Sequence, residues 1–306
     1  MDLRQIEYIL RIAEENNITH AARKLFISQS ALNQQLLKLE KELGVQLFHR
    51  SRTNWRPTKA GEIYLEGARK IMHIREETYA RIGDQIRSQN CHLTIGLSPG
   101  RGLRMFTSIY PEFHRLCPNY TLTPLEMQAR AQQAALGRSE LDFGFIMLTR
   151  DQEDDNTYLE LVREEMILAV PASMSVSARH GETGDSLPIL RLTEIADRPF
   201  ITMNPASTLR SIAEEVFRRE GIRPDILMEI SSTQSMLDMV RADIGCSIIP
   251  VYYADFSDPS VKYYRLHGNP SWRLCIVHRK DAYVSEGMKT FTDLARDYWY
   301  ENIVML

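Results

Sequence analysis

A chain of 306 residues, 43% hydrophobic and 25% charged, carries enough apolar side chain to bury about two cores of ordinary domain size. Its four cysteines, Cys91, Cys117, Cys246 and Cys275, stand far apart with no C-x-x-C pair, which excludes a disulfide framework or a zinc cluster as the organising device. The net charge of −3 conceals a division: residues 1–59 hold ten Lys/Arg against six Asp/Glu, a balance of +4 that leaves −7 for the remainder. A basic head on an acidic body is expected where only the head meets phosphate. The start, Met1-Asp2-Leu3-Arg4-Gln5, lacks the basic-then-apolar pattern of a secretory leader, and no apolar run approaches the ~18 residues that span a bilayer. The expectation is a cytoplasmic protein with no membrane partner.

In the head, Leu3, Ile6, Ile9, Leu10 and Ala13 recur at helical spacing and predict a first helix that ends at the Glu14-Glu15-Asn16-Asn17 cluster. Thr19 then opens a short second helix through Leu25, capped by its own hydroxyl, with Ala21 and Ala22 small enough to admit a neighbouring helix. Phe26-Ile27 turns the chain. Ser28 caps a third helix whose buried positions are Ala31, Leu32, Gln35/Leu36 and Leu39, and Gly44 stops it. Its first turn and opposite face offer Gln29, Ser30, Asn33, Gln34 and Lys38, side chains suited to base edges and phosphates if the helix enters a major groove. By itself the segment also fits an ordinary capped core helix. The next stretch, FHRSRTNWRPTKAG (residues 48–61), tips the balance: it sets Arg50, Arg52, Arg56 and Lys59, with no acid among them, on a strand-turn-strand around Thr53-Asn54. Such a wing lies along phosphates and binds in a salt-dependent way. After Thr58, an N-cap, the chain runs to about Arg87 without proline. Leu65, Ala68, Met72, Arg75, Tyr79, Ile82 and Ile86 alternate three and four apart, a coiled-coil seam with one polar interruption. About 28 residues at ~1.5 Å each reach ~42 Å, too long for the head alone, so a pairing helix is predicted.

The run AARKLFISQSALNQQLLKLEKELGVQLFHR, followed by PTKAGEIYLEGARKI, resembles the winged helix-turn-helix and linker helix of LysR-type transcriptional regulators. The resemblance implies that Ser28, Gln29, Ser30, Asn33, Gln34 and Lys38 form the recognition-helix face and Arg50, Arg52 and Arg56 the wing, with Thr19 joining the DNA-contacting set. It implies a homodimer through the linker helix, a homotetramer built from such dimers, double-stranded operator DNA as partner and RNA polymerase as a further candidate partner. The sequence departs from the family pattern in Ser30, where Pro is frequent, and in Asn33 and Gln34, where Ser and Arg are usual. Leu37 replaces a common basic residue, and Pro57 an apolar strand residue.

From Cys91 on, strands and helices alternate. LTIGLS is a strand, residues 103–116 a helix interrupted at Pro111, YTLTPLEM a strand, residues 130–137 a helix and LDFGFIML a strand. After EEMILAVP the same logic recurs: FITMN, a helix over 209–220, DILMEI, a helix over 234–242, and GCSIIP. WRLCIVHRK and a terminal helix over 286–300 close the chain. This order predicts a largely parallel sheet flanked by helices, folded as two similar lobes joined by two crossings. The resemblance implies the same two-lobed, periplasmic-binding-protein-like effector domain, with LDMVRADIGCSIIP similar to its signature turn and Asp243 where Gly is usual; Asp tolerates the left-handed region. The fold is thus expected to be α/β: a winged helix-turn-helix over 1–58, a linker helix over 59–87 and a regulatory domain over 88–306, with lobe I about 91–162 and 268–306 and lobe II about 163–267.

In open α/β sheets ligands bind beyond the carboxyl ends of strands, at helix N-termini whose free N–H groups attract anions. That points to Ser98, Pro99, Gly100, Arg101, Gln128 and Met147 on one lobe, and to Thr202, Met203, Asn204, Ser232 and Thr233 on the other. The same positions match the family's effector pockets. Ser232 could equally be only a helix cap, and Met203 only core. Amides, hydroxyls and Arg101 favour a small carboxylate effector. GLSPGRG lacks the Lys-Ser/Thr of a phosphate loop, no H-E-x-x-H occurs, the eight histidines are scattered and no nucleophile elbow frames a serine. No catalysis, cofactor or metal is therefore expected. The competing reading, a cytoplasmic clamshell that binds a small molecule without regulating DNA, would have no need of the basic head.

Overall fold

In the computed structural model, which describes residues 2–50, 54–86, 91–176 and 187–304, Asp2 opens the first helix by accepting from the Gln5 amide at 2.7 Å. This helix, α1 (Leu3–Glu15), ends at Asn16 in the left-handed conformation. The next, α2 (Ile18–Lys24), is capped by Asn17 and not by Thr19: the Asn17 side-chain oxygen accepts from the Thr19 and His20 amides at 2.9 and 3.2 Å. A cap needs extended backbone, which Asn17 has and Thr19, already inside the helix, does not. Ser28 caps α3 (Gln29–Leu43) through the Ala31 amide, and Gly44 at φ 71° ends it, as expected. Leu32, Leu36 and Leu39 bury against Ile9, Ile12, Ile18, Ala21 and Ala22. Ala31 and Gln35, expected in this core, face solvent, and the additional buried side chain is Glu40.

The wing consists of β1 (Phe48–His49) and β2 (Arg56–Pro57), antiparallel with Phe48 opposite Pro57. Arg52 and Thr53 lie outside the described residues. The helix α4 (Lys59–Ile86) starts where the Thr58 hydroxyl accepts from Gly61 and donates to the Gln46 carbonyl at 2.7 Å. Gly61 permits this close approach, because a β-carbon there would lie 2.0 Å from the Leu47 carbonyl oxygen. The predicted seam divides: Leu65 is part of the head's own core, Ala68 is buried, and Arg75 donates to Glu7 of α1 at 2.6 Å. The large apolar side chains that α4 leaves exposed, among the described residues, are Ile63, Ile74, Tyr79 and Ile82. Arg87 lies outside the described residues. By its internal contacts this first compact unit comprises residues 1–92 with 135–140, and the second residues 93–134 and 141–306.

From Cys91 the elements are β3 (Cys91–Leu97), α5 (Arg101–Leu116), β4 (Tyr120–Glu126), α6 (Ala129–Gly137), β5 (Phe143–Leu148), β6 (Thr157–Pro171), β7 (Ile189–Leu190), β8 (Pro199–Met203), α7 (Thr208–Arg219), β9 (Asp225–Ile230), α8 (Thr233–Arg241), β10 (Ser247–Pro250), β11 (Val261–Leu266), β12 (Ser271–His278) and α9 (Glu286–Trp299). The main sheet runs β4-β3-β5-β12-β6-β11-β7, with β10 also on β6. It is mixed, not largely parallel. β3 and β5 run parallel, but β12 returns between β5 and β6 antiparallel to both, and β10 and β11 run antiparallel to β6. β6 is the crossing strand: residues up to Glu165 pair with β12, and from Met166 on with β10, with β11 joining from Ile167.

Two local expectations change. α5 begins at Arg101 rather than at residue 103 and continues through Pro111. Pro111 has no N–H for the Thr107 carbonyl, yet Phe106 and Phe113 on either side pack on Phe291 of α9, at ring separations of 6.2 and 6.0 Å, and this packing outweighs one missing bond. β7 and β11 went unread in the sequence. Asp243 does adopt the left-handed region, φ 61°, and its carboxylate accepts from Ser173 at 2.6 Å.

Candidate functional site

The sequence-predicted site residues fall on two candidate faces, one on the head and one in the second unit. On the head, the Ser28 hydroxyl is used twice, as cap for α3 and in a 3.0 Å bond with the Ser30 hydroxyl, which fixes the first turn. Beyond it Gln29, Ser30, Gln34 and Lys38 are exposed and Asn33 is half-buried, all on the side of α3 away from its buried leucines, a side that also carries the exposed Leu37. Thr19 is half-buried in the first turn of α2. Arg56 on β2 is exposed, and neither it nor Lys38 has an ion-pair partner among the described residues. Arg50 differs. Its guanidinium pairs with the buried Glu40 carboxylate and lies 5.8 Å from the Trp55 ring centre, while Glu40 also accepts from the Leu47 amide at 2.8 Å. Part of the wing's charge is therefore held by an acid supplied from α3, ten residues upstream of Arg50, which the acid-free stretch of sequence did not show.

The second face is a cavity of about 260 Å³. Ser98, Pro99, Gly100 and Arg101 at the start of α5, Gln128 before α6, Met147 on β5, Met203 at the end of β8, and Ser232 and Thr233 at the start of α8 all line it. Thr202 and Asn204 do not. Side chains alternate along a strand, so Thr202 turns away from the side of Met203, and its hydroxyl is buried on Arg210 Nη1 at 2.7 Å; Asn204 lies one residue past β8. Sequence reasoning missed Ser207, Thr208 and Leu209, the start of α7, together with Ser231, Tyr253 and Trp272. The Ser-Thr pair ahead of an amphipathic run was the available signal for α7.

Hydrogen bonds set what these groups can offer a ligand. Ser98 donates both its amide and its hydroxyl to the Phe145 carbonyl at 3.1 and 3.0 Å, so its hydroxyl faces the cavity as an acceptor. Gln132 braces the same carbonyl at 3.2 Å and the Met127 carbonyl at 2.9 Å. Ser207 and Ser232 accept from the amides of Leu209 and Ser235, which leaves their O–H protons to donate. Burial raises the Tyr253 pKa, so its hydroxyl stays protonated. Thr208 donates to the Met147 carbonyl at 3.2 Å, tying the start of α7 to β5.

Arg101 is not a free cation. Only 4% exposed, it donates Nη1 to Glu164 at 2.6 Å, with its guanidinium 4.4 Å from the Tyr252 ring centre and 4.6 Å from that of Trp299. Glu164 is completely buried and also accepts from Trp272 Nε1 at 2.6 Å and the Tyr252 amide at 3.0 Å. The amide of Gly100, the residue that precedes α5, already meets the Glu126 carboxylate at 2.7 Å. Arg101 Nε and Nη2, however, have no hydrogen-bond partner among the described residues, so uncommitted donors at the cavity come from Arg101 as well as from the starts of α7 and α8.

All four cysteines are buried. Burial pushes the Cys246 thiol up to about 12 and the Cys275 thiol up to about 11, so neither is a thiolate at neutral pH.

The comparisons with known proteins bear on both faces. Residues 3–62 match the model of the bacterial regulatory helix-turn-helix protein, lysR family, and residues 87–299 match the LysR substrate binding domain. The chain is 25% identical to the regulator YcgK of Bacillus subtilis over 97% of its own length and 94% of the relative's. It is 29% identical to the regulator XapR of Escherichia coli over 85% and 86%, and 27% identical to ClcR of Pseudomonas putida over 96% and 98%. Among solved structures, a full-length OxyR variant from Pseudomonas aeruginosa superposes with a TM-score of 0.72 at 23% identity, over 97% of this chain and 95% of that one. Full-length CbnR in complex with its target DNA does so with 0.62 at 24% identity, over 97% and 99%.

Proposed function

The chain belongs to the LysR family of bacterial transcriptional regulators, and from that premise we propose how its two faces work. It is a DNA-binding regulator with an N-terminal helix-turn-helix and a C-terminal effector-binding domain. The recognition face is the free side of α3, Gln29, Ser30, Asn33, Gln34 and Lys38, entering a major groove with its Ser28-capped end leading. Thr19 and Arg56 lie on flanking phosphates, together with Arg52. Arg50 is the weaker contact, since Glu40 offsets its charge. The observation that carries this reading is the row of uncommitted amide and ammonium groups on the exposed side of a rigidly capped helix. A gel-shift with the protein's own upstream DNA tests it: replacing Asn33, Gln34 and Lys38 together by alanine abolishes operator binding. Undiminished occupancy across ionic strengths overturns it.

Effector bound in the 260 Å³ cavity shifts a pre-existing equilibrium between two arrangements of the effector domain, and with it operator affinity and DNA bend. Dimers form through α4 and pair again into tetramers, the assembly that presents two recognition helices to an inverted repeat. The effector is a small carboxylate, held by the N–H and O–H donors at the starts of α7 and α8 together with the unpartnered guanidinium nitrogens of Arg101. Titration with a panel of organic acids and their neutral amides or alcohols decides the charge: binding of neutral members alone removes the carboxylate assignment. An effector that leaves footprint and bend unchanged removes the coupling while leaving DNA binding intact.

A further inference from the structure

Beside the crossing strands lies a second cavity of about 280 Å³, lined by Thr149, Arg150, Arg163, Ser271, Trp272 and Arg273. Only Trp272 also borders the effector cavity. Its side chains are three guanidinium groups, two hydroxyls and an indole, without a carboxylate among them. Sheet register forces two of the cations together, since Arg273 of β12 sits directly opposite Arg163 of β6. Like charges in that position destabilise a sheet unless a counter-charge is supplied.

The fold supplies only part of one. Glu153 pairs with Arg273, and Glu160 lies 3.5 Å from Arg273 Nη1 and 3.8 Å from Arg163 Nε. Arg150 has no ion-pair partner among the described residues. Three guanidinium groups against two carboxylates leave a positive excess at the cavity. Arg273 is only 9% exposed, and its Nε has no hydrogen-bond partner among the described residues. A buried charged donor without an acceptor is costly, and an oxyanion would satisfy it.

We propose that this cavity is a second ligand site, which takes a phosphoryl group as inorganic phosphate or as a small phosphomonoester. A tetrahedral dianion can address guanidinium groups on several sides at once, whereas one arginine already saturates a flat carboxylate. The recess holds a phosphoryl group and a small organic body and is too small to admit a duplex. Its position gives the site a regulatory consequence. Ser271 stands opposite Glu165, the last β12 pair before β6 changes partners at Met166, and Trp272 is a wall of both cavities. Phosphate here bridges the strands at the crossing, and by linkage the two ligands alter each other's affinity reciprocally.

The test is thermal unfolding of the full chain with sodium phosphate, compared with sodium chloride at equal ionic strength and pH. Phosphate gives a saturable rise in melting temperature that chloride does not. A glycerol phosphate arm separates the sources: a tighter midpoint than inorganic phosphate assigns a phosphomonoester, an equal one assigns phosphate itself. Arg150→Ala and Arg163→Ala each weaken the phosphate midpoint by about tenfold or more. Without phosphate, Arg163→Ala melts no lower than the parent, because the cross-strand repulsion is gone. A rise matched by chloride, or retained in both variants, overturns the proposal. Organic-acid binding at the effector cavity is unchanged in Arg163→Ala, so failure of one site leaves the other standing.

Discussion

At the scale of single residues, Glu40 shows how one buried carboxylate joins two elements. It accepts from the Leu47 amide and from Arg50, so it holds the start of the wing against α3. Glu40→Ala strands both donors and is expected to lower the stability of the head by about 2 kcal/mol, the size of a partly buried hydrogen bond to charge. Chemical denaturation of the full chain, followed through Trp55, measures it. The thiols make a second case. Because burial raises Cys246 and Cys275 to about 12 and about 11, the folded state favours their protonated form. Their contribution to stability is then complete below the unfolded thiol pKa of ~8.5 and is lost as pH rises from there through the folded values. At pH 8 the native chain is expected to leave a disulfide reagent such as DTNB unconsumed, and the denatured chain to titrate all four cysteines. Rapid modification of the native protein would contradict the buried-thiol description and point to a redox role.

Among the elements, α3 and the wing contribute to DNA binding in different ways, and salt separates them. Side chains that pair with base edges add little to the salt dependence of affinity, while each cation on a phosphate adds about one unit to the slope of log K against log salt. Arg56→Ala is therefore expected to weaken operator and non-operator DNA alike and to reduce that slope by about 1. Gln34→Ala should weaken operator DNA selectively and leave the slope in place. Filter binding at several chloride concentrations gives both numbers. Equal slopes for the parent and Arg56→Ala would place Arg56 away from phosphate. On α4, Ile63 and Ile74 share one side of the helix about three turns apart, Ile82 lies about a quarter-turn round from them, and all are exposed. This stripe, not the Leu65 side, is the surface available for pairing. Ile74→Glu is expected to shift the protein toward monomer in analytical ultracentrifugation, whereas an unchanged mass would rule out the stripe as the dimer contact.

For the whole molecule, local sequence determined a great deal. The three-and-four spacing of Leu32, Leu36 and Leu39 in α3 with Ser28 before it and Gly44 after it, the Thr58 start of α4, and the strand–helix alternation beyond Cys91 were legible because each depends on neighbours within a few residues. So was most of the cavity, since helix starts beyond strand ends are local features that a given fold brings together. Side-chain commitments depended on residues distant in the chain, and only the tertiary structure decided them. Nothing near Arg101 in the sequence marks Glu164, 63 residues later, which takes one of its guanidinium nitrogens, and nothing in the acid-free stretch around Arg50 marks its pairing with Glu40. Trp272 and Tyr253 reached the cavity from segments whose sequence carries no mark of it. The antiparallel return of β12 between β5 and β6, which also sets Arg273 against Arg163, is a property of chain path and register. Periodicity fixes which face of an element is buried, but the neighbour it meets, and hence which charges remain for a ligand, follows from three-dimensional packing.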